Sequence, residues 1–216
     1  MRPIIITKQL AASSTTAVCA SQTPGAAGNL TINGGLATAG VATLDTQRIV
    51  GIISTGDISN RTFTVYGTDD QGNVISEALT GPNNATVSTI LNYKTVTQIA
   101  ISGAAAAAIT VGTTGVGATK PIPLEQHVSP FATAVFVEIG TGKTVNVSVQ
   151  YTPDDVFSQA NIVSATGLNW TTMGTLSSKT ASADSNLAFP PAAVRLLINS
   201  GTDAAKMIIR QAGLWG

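Results

Sequence analysis

The sequence is poor in charge, histidine, cysteine and aromatic side chains. Charged residues make up 10% of its 216 residues, with 11 Lys and Arg against 11 Asp and Glu, compared with roughly 25% in an average soluble protein. A net charge of zero provides no basic footprint, so neither nucleic acid nor an anionic membrane is expected as a partner. The sequence contains no apolar run long enough to predict a membrane-spanning helix.

The scarcity of ligating side chains excludes several classes of site. A single cysteine, Cys19, excludes an internal disulfide framework and a thiolate zinc site. A single histidine, His127, excludes multi-histidine metal sites and any catalytic site that needs a second histidine. The abundant residues are Thr (31), Ala (30), Gly (21) and Ser (17), which together make up 99 of the 216. This composition indicates an uncharged, β-rich protein that is not an enzyme.

Strand patterns dominate the sequence, whereas sustained helical periodicity is absent. Residues 62–68 (TFTVYGT) and 144–151 (TVNVSVQY) alternate apolar and polar side chains with the period of a strand. Turn sequences such as residues 69–73 (DDQGN) separate strands of five to eight residues. These features predict an all-β fold with two β-sandwich, jelly-roll-like domains.

The composition changes along the chain predict four segments. Residues 1–28 are rich in Ala, Ser, Thr and Gly and lack a core pattern, so they are expected to form an extended N-terminal arm. Residues 29–118 and 131–216 are the two predicted β-sandwich domains. Glycine and proline between residues 112 and 130 predict a linker, which we place at residues 119–130.

The predicted arm is expected to be ordered by another subunit. Its one apolar cluster is Ile4, Ile5 and Ile6, which is too small to offset the ordering entropy of 28 residues. Residues 4–7 are therefore predicted to add a strand to an exposed sheet edge of a neighbouring copy. Deleting the arm would then leave both domains folded.

The order of strands and turns in the two predicted domains is similar. Three segments of the first domain have a counterpart in the second: 48–56 matches 134–142, 62–70 matches 144–155, and 96–103 matches 194–201. A true duplication and a chance likeness between two β-sandwiches both remain open.

Several residues were considered for chemistry, and none is assigned a catalytic, cofactor-binding or metal-binding role. The Asp69–Asp70 and Asp154–Asp155 pairs lack EF-hand spacing and are typical of solvated turns. His127 and Cys19 have no partner in the pattern, and the glycine-rich residues 112–120 lack phosphate-loop spacing. Three aromatic residues favour core packing or subunit contact over ligand binding; they are Trp170, Phe189 and Trp215. No cofactor is expected.

From residue 29 onward the sequence resembles a group of virion structural proteins of tailed bacteriophages, commonly encoded near the major capsid gene of short-tailed phages. The similar segments occur in the same order along the chain. They are residues 30–35 (LTINGG), 42–45 (ATLD), 62–77 (TFTVYGTDDQGNVISE), 93–99 (YKTVTQI), 149–155 (VQYTPDD) and 189–196 (FPPAAVRL).

The resemblance implies a structural virion protein that binds the outside of the capsid shell as a decoration or cement protein. Its expected partners are the major capsid protein and copies of itself, and its expected location is the capsid surface of a virion assembled in the host cytoplasm. One alternative is another virion component, such as a head–tail connector, a tail protein or a head fibre. A second is a carbohydrate-binding or adhesin module that uses Trp170 or Trp215 as a stacking platform. The resemblance carries no functional residues.

Overall fold

The computed structural model describes residues 3–127, 131–158 and 168–211. These residues form 17 strands and one 3₁₀ turn, and they contain no α-helix. All strand pairs within the two units described below are antiparallel. The prediction of an all-β protein is therefore confirmed.

The described chain divides into two compact units. The amino-terminal unit contains residues 12–117. The carboxy-terminal unit contains residues 3–11, 118–127, 131–158 and 168–211, so it takes its first strand from the start of the chain.

The amino-terminal unit is organised around the sheet order β10–β5–β9–β6–β7, with four short strands paired to it: β2 to β10, β3 to β9, and β4 and β8 to β5. Its strands are β2 (Cys19–Gln22), β3 (Gly28–Asn29), β4 (Ala37–Thr38), β5 (Val41–Ser54), β6 (Thr62–Thr68), β7 (Val74–Thr80), β8 (Thr86–Ser88), β9 (Tyr93–Ile101) and β10 (Ile109–Ala118).

The carboxy-terminal unit contains two sheets that share one apolar core. One sheet has the order β1–β17–β12–β15, and the other has the order β14–β13–β16–β11. Alternate residues such as Val135, Val137 and Met207 from the first sheet, and Val147 and Leu196 from the second, are buried together. The strands are β1 (Ile4–Lys8), β11 (Ile122–Pro123), β12 (Thr133–Ile139), β13 (Val145–Thr152), β14 (Thr171–Thr172), β15 (Ala183–Leu187), β16 (Ala193–Gly201) and β17 (Ala205–Gln211).

The structure differs from the predicted N-terminal arm. Ile4–Lys8 pairs in register with Ala205–Gln211 of the same chain, and β2 pairs with β10 of the amino-terminal unit. Beyond β1, Leu10 is buried in the carboxy-terminal core, while Val18 and Cys19 are buried in the amino-terminal core. The prediction of an intermolecular strand is corrected: β1 belongs to the carboxy-terminal unit and β2 to the amino-terminal unit of the same chain. The few buried apolar side chains of this polar segment anchor it to the two cores.

The glycine-rich region also differs from its prediction as a linker. Residues 112–118 belong to β10, which pairs with both β5 and β2. A Cβ on Gly112 would lie 1.9 Å from the carbonyl oxygen of Ser14, so this glycine permits close backbone packing instead of flexibility. Within the predicted linker 119–130, Ile122 and Leu124 are buried in the carboxy-terminal core; residues 128–130 lie outside the described residues.

Three strand pairings of the amino-terminal unit recur in the carboxy-terminal unit. In the amino-terminal unit β6 pairs with β9, β5 with β10, and β2 with β10. The corresponding strands of the carboxy-terminal unit pair in the same way: β13 with β16, β12 with β17, and β1 with β17. The order of segments noticed in the sequence therefore has a counterpart in strand pairing, and it extends to the N-terminal strand of each unit.

Candidate docking surface

The acidic pairs serve as turn-forming residues. Asp69 accepts hydrogen bonds from the backbone N–H of Gln71 and Asn73, at 2.8 and 2.9 Å, and closes the β6–β7 hairpin. Asp154 accepts two hydrogen bonds from Asn169, and the backbone one is the main reason that its pKa lies below the usual range. The part of the chain that the structure describes contains no group of three or more His, Cys, Asp or Glu placed to hold a metal ion.

The other residues considered for chemistry are also separated from one another. His127 is exposed, and its backbone N–H donates to Glu125 Oε1 at 3.0 Å. Cys19 is fully buried, and burial raises the pKa of its thiol to about 12, which suppresses the nucleophilic thiolate at neutral pH. Trp215 lies outside the described residues.

Buried polar groups of the amino-terminal unit hold backbone segments in place. Glu77 accepts hydrogen bonds from the backbone N–H groups of Ile90 and Leu91, each at 2.9 Å. Arg48 binds Asp45 Oδ1 at 3.1 Å and the carbonyl oxygen of Thr114. Because these hydrogen bonds connect loops and strands of their own unit, the two side chains serve the fold.

The outer face of the sheet β1–β17–β12–β15 exposes a row of apolar side chains. The strand register places Ile5 opposite Ile208, and Ile208 opposite Phe136. Cross-strand partners share a face, and this face is opposite the buried one. Ile5 is 56% exposed and Phe136 37% exposed, although both are large apolar residues. We call this row, with its flanking polar residues, the docking face.

Charged residues flank the row with both signs. Asp184 lies opposite Phe136 on β15, and one step along the strands Lys206 Nζ binds Glu138 Oε2 at 2.6 Å. Arg210 lies on the other side, beyond Ile208 on the same strand. A shallow groove of about 400 Å³ is lined by Phe136, Ile208 and three of the charged residues, Glu138, Asp184 and Arg210. An exposed apolar strip with a polar rim is typical of a protein-binding surface.

A second apolar site lies at the loops of the carboxy-terminal unit. Phe157 is 72% exposed beside a depression of about 220 Å³ that Leu124, Pro153 and Val156 also line. The exposed ring of Phe189 packs edge-on against Tyr151, with ring centroids 5.2 Å apart.

Trp170 has its ring covered by a cation. The guanidinium carbon of Arg195 lies 4.1 Å from the ring centroid. That ring face is therefore occupied by the protein itself, which disfavours Trp170 as a platform for a sugar ring.

The sequence matches no protein-family model and no curated protein. Among the described residues, no helix is long and apolar enough to cross a membrane. The candidate site consequently rests on geometry: Ile5, Ile208 and Phe136 come from three strands that are distant in sequence. Local periodicity and motif spacing do not reveal that these three residues are neighbours, because only the strand register shows it.

Proposed function

We propose that this chain is a structural protein of a tailed-phage virion that binds the outside of the capsid shell and stabilises it as a decoration or cement protein. Its partners are the major capsid protein and further copies of itself, and its place is the capsid surface of particles assembled in the host cytoplasm. Each unit serves as a β-sandwich, jelly-roll-like module. The resemblance of the sequence to phage virion proteins and the chemistry of the docking face support this proposal.

The docking face is the observation that carries the proposal. Its row consists of the exposed Ile5 and Phe136 with the half-buried Ile208 between them. Covering such an apolar row with another protein removes it from water and is favourable. Adhesion through apolar and backbone contacts also suits a chain of which 10% is charged.

The size of the docking face argues for attachment in many copies. Four strands about 4.8 Å apart, over some six residues, span roughly 19 Å by 20 Å, or about 400 Å². A standard stable interface buries about 800 Å² per partner. One docking face therefore supplies about half of a standard interface, and a stable coat needs further contacts with neighbouring shell subunits or copies of this chain.

The experiment that tests the proposal is the copy number of this chain in purified phage particles. Its amount is measured relative to the major capsid protein by quantitative mass spectrometry. Hundreds of copies per particle are expected for a shell protein. About a dozen copies or fewer would instead place the chain at the neck or tail, and absence from the particle would refute a virion role.

A further inference from the structure

Arg195 occupies a fixed position on the outward side of the second sheet. It lies on β16 directly opposite Gln150 of β13. Its Nε donates a hydrogen bond to Gln150 Oε1 at 2.9 Å, and Gln150 Nε2 donates in turn to Thr172 Oγ1 at 3.2 Å. One edge of the guanidinium is thus held by the sheet.

The indole of Trp170 holds the plane of the same guanidinium. Trp170 directly precedes β14, which pairs with β13, and the preceding residue, Asn169, is bonded to Asp154 through its backbone N–H at 2.6 Å and its side chain at 3.0 Å. Stacking at 4.1 Å attracts the cation to the ring face. Together, Trp170 and Gln150 leave Arg195 little rotational freedom, so a ligand would meet a preorganised group.

In the part of the chain that the structure describes, no carboxylate balances the charge of Arg195. Among the described residues, no Asp or Glu forms an ion pair with it. The hydrogen bond to Gln150 uses Nε, so it does not occupy the N–H groups of Nη1 and Nη2. Burial lowers its pKa to about 9, at which the group is still cationic at neutral pH. A partly desolvated, unpaired cation costs free energy that an anion would recover.

We propose that Arg195 binds one carboxylate group through Nη1 and Nη2, and that an Asp or Glu side chain of the capsid protein supplies it. The second clause rests on the proposed function. Two parallel N–H groups match the two oxygens of a planar carboxylate. Buried Arg and Trp side chains are also the residues that most often dominate the energy of protein interfaces.

The first experiment tests the site without any partner. In a Trp215→Phe background, Trp170 is the single tryptophan, and its fluorescence is titrated with sodium acetate at an ionic strength held constant with sodium chloride. A saturable change is expected; it should disappear in Arg195→Gln and weaken at least about tenfold in Arg195→Lys, which keeps the charge but loses the fork. Lys120→Gln, which removes an exposed cation of the same unit, is the matched control and should titrate unchanged.

The circular dichroism spectrum of each variant establishes that the fold is retained. A titration of Arg195→Gln that equals its parent, or no saturable change in the parent, would overturn the site. Tighter binding of inorganic phosphate than of acetate would overturn the assignment to a carboxylate.

The second experiment tests the source of the carboxylate by rebinding to capsid shells stripped of this chain. Arg195→Gln is expected to bind at least about tenfold more weakly than wild type, while Lys120→Gln binds as wild type. Equal binding of Arg195→Gln would overturn the capsid carboxylate and leave the proposed function standing. If wild type itself does not bind, the proposed function and the capsid source both fail, whereas the acetate titration alone decides the site.

Discussion

Replacing Leu10 with alanine should destabilise the carboxy-terminal unit strongly, although Leu10 belongs to a segment with no core pattern. Leu10 is 1% exposed and packs in the core of that unit, just after β1. Removing a buried leucine side chain costs about 2–5 kcal/mol, through lost burial and the cavity left behind, and we take about 3 kcal/mol. Ile5→Ala is the matched control: Ile5 is on the outer face of the preceding strand β1, so loss of its side chain should cost less than about 0.5 kcal/mol.

The assay is urea unfolding followed by Trp170 fluorescence in the Trp215→Phe background, because Trp170 belongs to the carboxy-terminal unit. With a slope of about 2 kcal/mol per molar urea, Leu10→Ala should lower the midpoint by about 1.5 M, and Ile5→Ala by less than about 0.3 M. Equal midpoints for the two variants would show that the first residues do not contribute to this core. The intermolecular arm would then be the better account.

Three further predictions follow from single contacts. Gly112→Ala places a Cβ 1.9 Å from the Ser14 carbonyl oxygen and should lower the melting temperature by at least about 5 °C, whereas Gly115→Ala, which meets open space, should change it little. The buried Cys19 thiol, its pKa raised to about 12, should react with a disulfide reagent only after unfolding. A backbone hydrogen bond from Thr144 is the main reason that the pKa of Asp203 lies below its usual range. The ionised Asp203 therefore stabilises the fold above the carboxyl pKa of the unfolded chain, and this stabilisation is lost as the pH falls through the lowered pKa of the folded protein. The difference in unfolding free energy between wild type and Asp203→Asn should shrink below about pH 4.

Local sequence patterns identified the strands that alternate and the turns between them. Phe63 and Val65 on β6, and Val147 and Val149 on β13, are buried as their period predicts. The hairpin turn around Asp69 could be predicted because its side chain bonds the backbone only two and four residues further along the chain. These features depend on near neighbours in the chain, which is why a single sequence reveals them.

Features that depend on distant contacts were missed. Val18 and Cys19 are buried only because β2 pairs with β10, some 90 residues later. Gly112 suggested flexibility, whereas its lack of a side chain lets residue 14 pack against it. The docking face was missed for the same reason. Ile5 and Ile208 are opposite each other although about 200 residues of sequence separate them, and local periodicity does not predict which distant strands pair.

The most direct test of the account is rebinding of Phe136→Asp to capsid shells stripped of this chain. The substitution places a carboxylate in the centre of the docking face, where contact with the shell would desolvate it. The matched control, Val74→Asp, makes the same change at a 69% exposed position of the amino-terminal unit. The account predicts that Phe136→Asp folds, but binds at least about tenfold more weakly than wild type, while Val74→Asp binds normally. Wild-type binding by Phe136→Asp would contradict the claim that the docking face attaches this chain to the shell.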